Sequence, residues 1–197
     1  MNILLTLAIP FVGTSIGAAT VLLARRSVPA RIHNALLGFA AGVMVAASVW
    51  SLIIPSIGLS EALGRMSWMP AAVGIILGML FLLALDSIVP HMHPGTDTRE
   101  GLSSSLGKRH MLLLAVTLHN IPEGMAVGAV VAGAMAGDAG ITMAAAMALA
   151  LGMAIQNIPE GAIISLPLRA DGISRSKAFG YGTLSGIVEP ISALIMV

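Results

Sequence analysis

The sequence predicts an all-α protein, a polytopic bundle of transmembrane helices, and three observations carry that prediction. Hydrophobic residues make up 57% of the 197 residues and charged residues 10%, against roughly 25% charged in a soluble domain. Six stretches with few or no charges reach the ~20 residues that a helix needs to cross a bilayer. None of these stretches alternates in the manner of a strand. Lipid offers no partner to open backbone groups, so helices are the form such spans take. A single membrane domain over 1–197 is expected.

The first span is placed near 3–24 and carries no charge. The N-terminus has neither a basic run nor a small-residue cleavage site, so it is read as a retained helix and not a leader. The second span, near 35–58, is uncharged throughout, and the third, near 70–90, carries only Asp86. The fourth, near 111–136, holds His119 and Glu123; the fifth, 141–168, holds Glu160; the sixth, 178–197, holds Glu189. Glycines recur four apart at Gly13/Gly17, Gly38/Gly42, Gly74/Gly78, Gly124/Gly128 and Gly182/Gly186, a spacing that lets helix backbones approach closely. Trp50 and Trp68 flank the outer side of the second and third spans and read as interface anchors.

Charge placement orients the spans. The first loop holds Arg25, Arg26 and Arg31, the third Arg99, Lys108 and Arg109, and the fifth Arg169, Arg175 and Lys177. The second loop has only Arg65 and the fourth has no basic residue. Basic loops stay in the cytoplasm, so the N-terminus is expected outside, with the fourth span running outward and the fifth inward. The third loop, about 91–110, is the only long one, rich in Gly and Ser and carrying His91, His93 and His110. It is expected to be cytoplasmic and mobile. Cysteine is absent, which excludes disulfides and thiolate metal sites. A net charge of +1 gives no reason to expect a nucleic-acid partner; the expected partners are divalent ions and the bilayer. The place of such a chain is an integral membrane position, in a plasma membrane or bacterial inner membrane.

Two of the intramembrane carboxylates sit in one repeated phrase. His119-Asn120-Ile121-Pro122-Glu123-Gly124 and Gln156-Asn157-Ile158-Pro159-Glu160-Gly161 share Asn-Ile-Pro-Glu-Gly, 37 residues apart. A carboxylate in hydrocarbon is costly and marks function by default. Neither span contains a lysine or arginine near its glutamate, so a metal cation is the simplest counter-charge. Residues three and four apart share a helix face. His119, Asn120 and Glu123 therefore line one face, and Gln156, Asn157 and Glu160 line the matching face of the antiparallel neighbour. Pro122 and Pro159 each remove a backbone donor and disturb the bond to the carbonyl four residues back, at Leu118 and Ile155. A kink is expected at both, with freed carbonyls turned to a polar cavity. Glu189, in Ser185-Gly186-Ile187-Val188-Glu189-Pro190, adds a third carboxylate beside a proline.

Imidazole favours zinc, iron, copper or nickel, while carboxylates and amides alone suit harder ions. The mixture points to a borderline transition metal, zinc first. Blander roles stand beside this one. A lone intramembrane glutamate such as Glu189 can be protonated or serve a proton relay. Asn120 and Asn157 can bond across helices, and Met44 in the second span reads from its chemistry as packing. His91 and His93 read as loop-edge residues and Asp86 as an interface group. An intramembrane zinc-dependent hydrolase is a second functional reading, but catalytic zinc is usually held by three protein ligands, and only one histidine lies deep in the spans. A carrier coupled to protons through protonated glutamates, without metal, is a third.

The two phrases, with Ser-Gly…Glu-Pro in the sixth span, resemble the ZIP family of divalent-metal transporters. Gln156 in place of a second histidine, and Asp86-Ser-Ile-Val-Pro-His91-Met-His93 at the end of the third span, resemble its GufA-like branch. The resemblance implies one metal site from His119, Glu123, Gln156 and Glu160, with Met44 as a further thioether ligand. It implies a second from Asn120, Asn157 and Glu189, with Glu123 and Glu160 bridging both ions. It implies uptake of zinc, and of iron, manganese or cadmium, into the cytoplasm by alternating access, in which the first, fourth, fifth and sixth helices carry the site past a scaffold. It also implies a homodimer. Members of the family have eight transmembrane helices. The present sequence supplies six, so the transporter domain is expected to be incomplete at its C-terminus.

Overall fold

The computed structural model describes residues 2–23, 30–92, 98, 100–138 and 140–197. Among them the structure is helical, and the only strand-like pairing is an isolated bridge between His91 and Glu100. Among the described residues six helices are long and apolar enough to cross a membrane: Ile3–Leu23, Leu37–Leu59, Met69–Ile88, His110–Ala136, Met143–Ala170 and Arg175–Met196. Each lies within a few residues of an expected span. The chain is an integral membrane protein of helical-bundle architecture.

α1 (Ile3–Leu23) has 21 residues, about 32 Å of helix at 1.5 Å per residue, enough for a hydrocarbon core of ~30 Å. The second span is built in three pieces: α2 (Ala30–Ala47), a π-helical segment (Ser48–Ile53) and α3 (Ile54–Leu59). Its widened turn has a local cause. Pro55 brings no N–H, and its ring collides with the carbonyl of Ser51 four residues back; the wider turn relieves that crowding, and the Ile54 N–H bonds to the Val49 carbonyl instead. A 3₁₀ turn (Glu61–Met66) and the positive φ of Gly64, 55°, reverse the chain into α4 (Met69–Ile88).

α5 (Lys108–Ala136) ends at Gly137, whose φ of 76° permits the left-handed cap that turns the chain; the Asp138 N–H then reaches back to the Gly133 carbonyl at 3.1 Å, as expected of a glycine-terminated helix. Thr142 opens α6 (Met143–Ala170) by accepting a bond from the Ala145 N–H, a standard N-cap. Ser174 does the same for α7 (Arg175–Gly186), which is followed by α8 (Val188–Met196).

The expected kinks at Pro122 and Pro159 do not interrupt their helices. α5 and α6 remain helical through both prolines; a break in lipid would leave several backbone groups unpaired, whereas neighbouring helices can absorb one lost bond. Of the last three spans, the interrupted one is the sixth. Pro190 crowds the carbonyl of Gly186, α7 stops there, and Ile187 makes a tighter bond to the Leu184 carbonyl at 3.2 Å.

α1, α5, α6 and the α7–α8 pair form the packed bundle. One apolar plug gathers Leu7, Val127, Val131, Leu149, Met153 and Ala193. A second gathers Val21, Ile164, Leu168 and Ala178, with Leu113 and Val116 against it. α1 and α6 run from the first plug to the second, and α5 and α7–α8 run back. The two Asn-Ile-Pro-Glu-Gly phrases therefore point in opposite directions, and both lie between the plugs.

Backbone contact closes the bundle. A Cβ at Gly13 or Gly17 would strike the carbonyls of Ala154 or Ile158 on α6, and one at Gly161 would strike the Thr14 carbonyl on α1. Gly124 and Gly128 meet Glu189 and Ala193 of α8 in the same way.

Candidate metal centre

Between the plugs lies a polar layer. Asn120, Glu123, Gln156, Asn157, Glu160 and Glu189 are all buried there, at 0–7% exposure. Fully burying such groups is costly unless they are paired, so their partners define the site.

His119 stands one turn before Glu123 on α5 and is half-exposed, at the mouth of the layer. Its Nε2 is 3.6 Å from Glu123 Oε1 and 3.8 Å from Glu160 Oε1 across the helix pair. The three donor atoms fall within 4.8 Å of one another. Ligand atoms around one tetrahedral zinc stand about 3.3 Å apart, given bonds of ~2.0 Å, so the three groups are close to a ligating arrangement. At such separations two ionised glutamates repel by about 3–4 kcal/mol for an effective dielectric constant of ~20. No lysine or arginine lies between residues 110 and 168 to offset this.

The amides link the layer. Gln156 Nε2 donates to Glu123 Oε1 and to Asn157 Oδ1, the latter at 3.0 Å. Asn157 Nδ2 donates to the Pro10 carbonyl of α1 at 3.4 Å. Asn120 Nδ2 donates to Glu189 Oε1 at 3.0 Å and to the Ser185 carbonyl at 3.2 Å. Ser185 lies in the last turn of α7, where carbonyls lack helical partners, so Asn120 caps the break in the sixth span.

What these bonds leave over is all of one kind. Asn120 Oδ1, Glu123 Oε2, Gln156 Oε1, Glu160 Oε2 and Glu189 Oε2 are buried and accept no hydrogen bond. Five oxygen acceptors on α5, α6 and α8, three of them carboxylate oxygens, make a layer rich in acceptors and poor in donors. Buried polar atoms normally find partners; a group of acceptors without donors suits a cation. The chemistry of the set, one imidazole with carboxylates and amides, fits a borderline divalent metal.

The structure thus brings together His119, Asn120, Glu123, Gln156, Asn157, Glu160 and Glu189. Asn120 and Asn157 do bond across helices, and Asn120 keeps its oxygen free while doing so. Met44 is half-buried on α2. Its neighbour Val43 reaches Gly152 of α6, one turn before Gln156. No hydrogen bond joins Met44 to the layer among the described residues.

Sequence reading missed α1. Thr14 is fully buried, and its hydroxyl donates to Glu189 Oε1 at 2.7 Å. The available signal was a polar residue at the centre of an uncharged span, between Gly13 and Gly17.

A second cluster lies at the end of α4. His91 is buried, its Nδ1 2.8 Å from the Val89 carbonyl and its Nε2 2.8 Å from Asp86 Oδ1 and 3.7 Å from Glu100 Oε2. His91 is thus a packed residue and not a loop edge, and Asp86 is its partner. His93, Arg25, Arg26 and Arg99 lie outside the described residues.

No family model matches the chain. Individual proteins do. Zinc transporter ZIP11 of Homo sapiens is 32% identical, over 83% of this chain and 70% of its own length. Zinc transporter ZIPB of Bordetella bronchiseptica is 37% identical, over 94% of this chain and 58% of its own. Zinc transporter GufA of Myxococcus xanthus is 36% identical, over 74% of this chain and 56% of its own.

Proposed function

The chain belongs to the ZIP family of zinc transporters, and from that membership we propose that it carries divalent transition-metal ions, zinc first, across a membrane and into the cytoplasm through the polar layer. The relatives' names support zinc as the cargo. Iron, manganese and cadmium are the further candidates that the ligand chemistry admits.

The observation that carries the reading is the set of five buried, unpartnered oxygens beside His119. In this reading His119, Glu123, Gln156 and Glu160 hold one ion, with Met44 as a further ligand. Asn120, Asn157 and Glu189 hold a second, and the two phrase glutamates bridge both. The ligands replace the ion's hydration shell while the carboxylates offset its charge. Transport requires the layer to open to one side at a time, with α1, α5, α6 and α7–α8 moving as one unit. Their shared backbone contacts support such a unit. The basic first, third and fifth loops support a cytoplasmic destination and a plasma-membrane location. Pairing of two copies, as the resemblance implies, belongs to the same proposal.

Zinc uptake into liposomes by the purified protein tests the site. Glu123→Ala and Glu160→Ala are each expected to reduce uptake to the level of empty liposomes. Wild-type uptake in both would refute the assignment. Flux that follows pH and ignores chelators would instead favour a proton carrier using protonated glutamates.

A further inference from the structure

α1 has no carboxylate, histidine or amide between Ile3 and Leu23, yet it reaches the polar layer through Thr14. Hydroxyls inside helices commonly bond back to a carbonyl three or four residues earlier. Six of the described helix hydroxyls of this protein do so: Ser15 to Phe11, Thr20 to Gly17, Ser87 to Leu83, Thr117 to Leu113, Ser185 to Gly182 and Ser192 to Val188, at 2.7–2.8 Å. Thr14 instead donates to a carboxylate 175 residues away.

The consequence falls on Glu189. Its Oε1 accepts from Thr14 at 2.7 Å and from Asn120 at 3.0 Å, while its buried Oε2 accepts from no group. The carboxylate is therefore held by one oxygen and offers the other. Two glycines shape the place where this happens. A Cβ at Gly186 would come within 2.8 Å of Thr14 Cβ and Cγ2 and 3.0 Å of Glu189 Oε1, and one at Gly161 would strike the Thr14 carbonyl. Thr14 is thus wedged by α6 and α7 with its hydroxyl aimed at Glu189.

We propose that Thr14 is a positioning residue: by pinning Glu189 Oε1 it presents Oε2 alone to the second metal ion, so that this ion's affinity, and not the first ion's, depends on the α1 hydroxyl. The inference rests on the two-ion reading above. A hydrogen bond to a charged group is stronger than a neutral one, so removing this hydroxyl should weaken the second ion by about tenfold or more.

Zinc titration of the purified protein by calorimetry, paired with uptake kinetics in liposomes, tests it. Thr14→Val keeps the shape and removes the hydroxyl; Thr14→Ser keeps the hydroxyl. Thr14→Val is expected to weaken the second binding event at least tenfold, leave the first unchanged, and shift KM and kcat unequally. Thr14→Ser is expected to restore the second event. Two wild-type events in Thr14→Val, with the second lost in Glu189→Gln, would overturn the role of Thr14 alone. Two wild-type events in both variants would overturn the two-ion reading and this inference with it. Loss of both events in Thr14→Val would assign Thr14 to packing and overturn the positioning role.

Discussion

The packed bundle and the α2–α4 hairpin spell the same small-residue spacing and use it differently. Gly13/Gly17 and Gly124/Gly128 meet the backbone of another helix and Gly182/Gly186 press on the Ala18 and Thr14 side chains of α1, whereas Gly38/Gly42 and Gly74/Gly78 have no atom within 4 Å of an added Cβ. Among the helix residues whose burial is described, the bundle holds every buried apolar side chain except Ala40 of α2, and α4 buries none. Yet α4 has nothing but apolar residues from Met69 to Leu85 apart from its glycines and proline. Apolar surface alone gives no drive for helices to associate in lipid, where packing and polar contacts decide. The bundle has those contacts: Thr14 to Glu189, Asn120 to Ser185, Gln156 to Glu123 and Asn157 to Pro10.

The sharpest way to break this contrast is to place a methyl group on each kind of glycine. Gly161→Ala and Gly128→Ala press a Cβ on facing backbone and are expected to lower stability by about 1–3 kcal/mol, read as a lower thermal midpoint in detergent. A smaller loss is expected for Asn120→Ala. It leaves the Ser185 carbonyl and one Glu189 oxygen short of a donor, at about 1–2 kcal/mol, and should loosen the α7–α8 break as seen by faster amide exchange near Ile187. His91→Ala removes the bonds to Asp86 and Val89 and should cost about 1 kcal/mol, with uptake through the bundle retained. The smallest effect belongs to the hairpin. Gly78→Ala meets open space and should leave stability unchanged or raise it by up to about 1 kcal/mol, read as an equal or higher midpoint. Equal losses at Gly161 and Gly78 would erase the distinction between the two regions.

Much of this was legible in the sequence for a physical reason. Span positions follow from hydropathy and length, and the pairing of Glu123 with Glu160 followed from one phrase repeated on antiparallel helices. His119 and Glu123 share a face because they are four apart. Other features were not legible. Pro122, Pro159 and Pro190 look alike in sequence, and only the third stands at a helix break, because that outcome depends on how neighbouring helices hold the chain. Thr14 resembled the other hydroxyls of the spans until α1 was seen packed on α6 and α7. The glycine pairs gave no hint of which would find a partner, since spacing marks an ability to pack and not the packing itself. The burial of His91 was hidden because Glu100, whose backbone pairs with it, comes from the far side of its own loop.

Zinc bound per chain, measured by elemental analysis after gel filtration, tests the metal centre most directly. Both proteins compared should carry Asp86→Asn and His91→Ala, so that the cluster at the end of α4 does not contribute. The chain with Glu123 and Glu160 intact should retain zinc, and the chain with Glu123→Gln and Glu160→Gln should fall to background. Equal zinc in the two would contradict a metal centre built on the repeated glutamates.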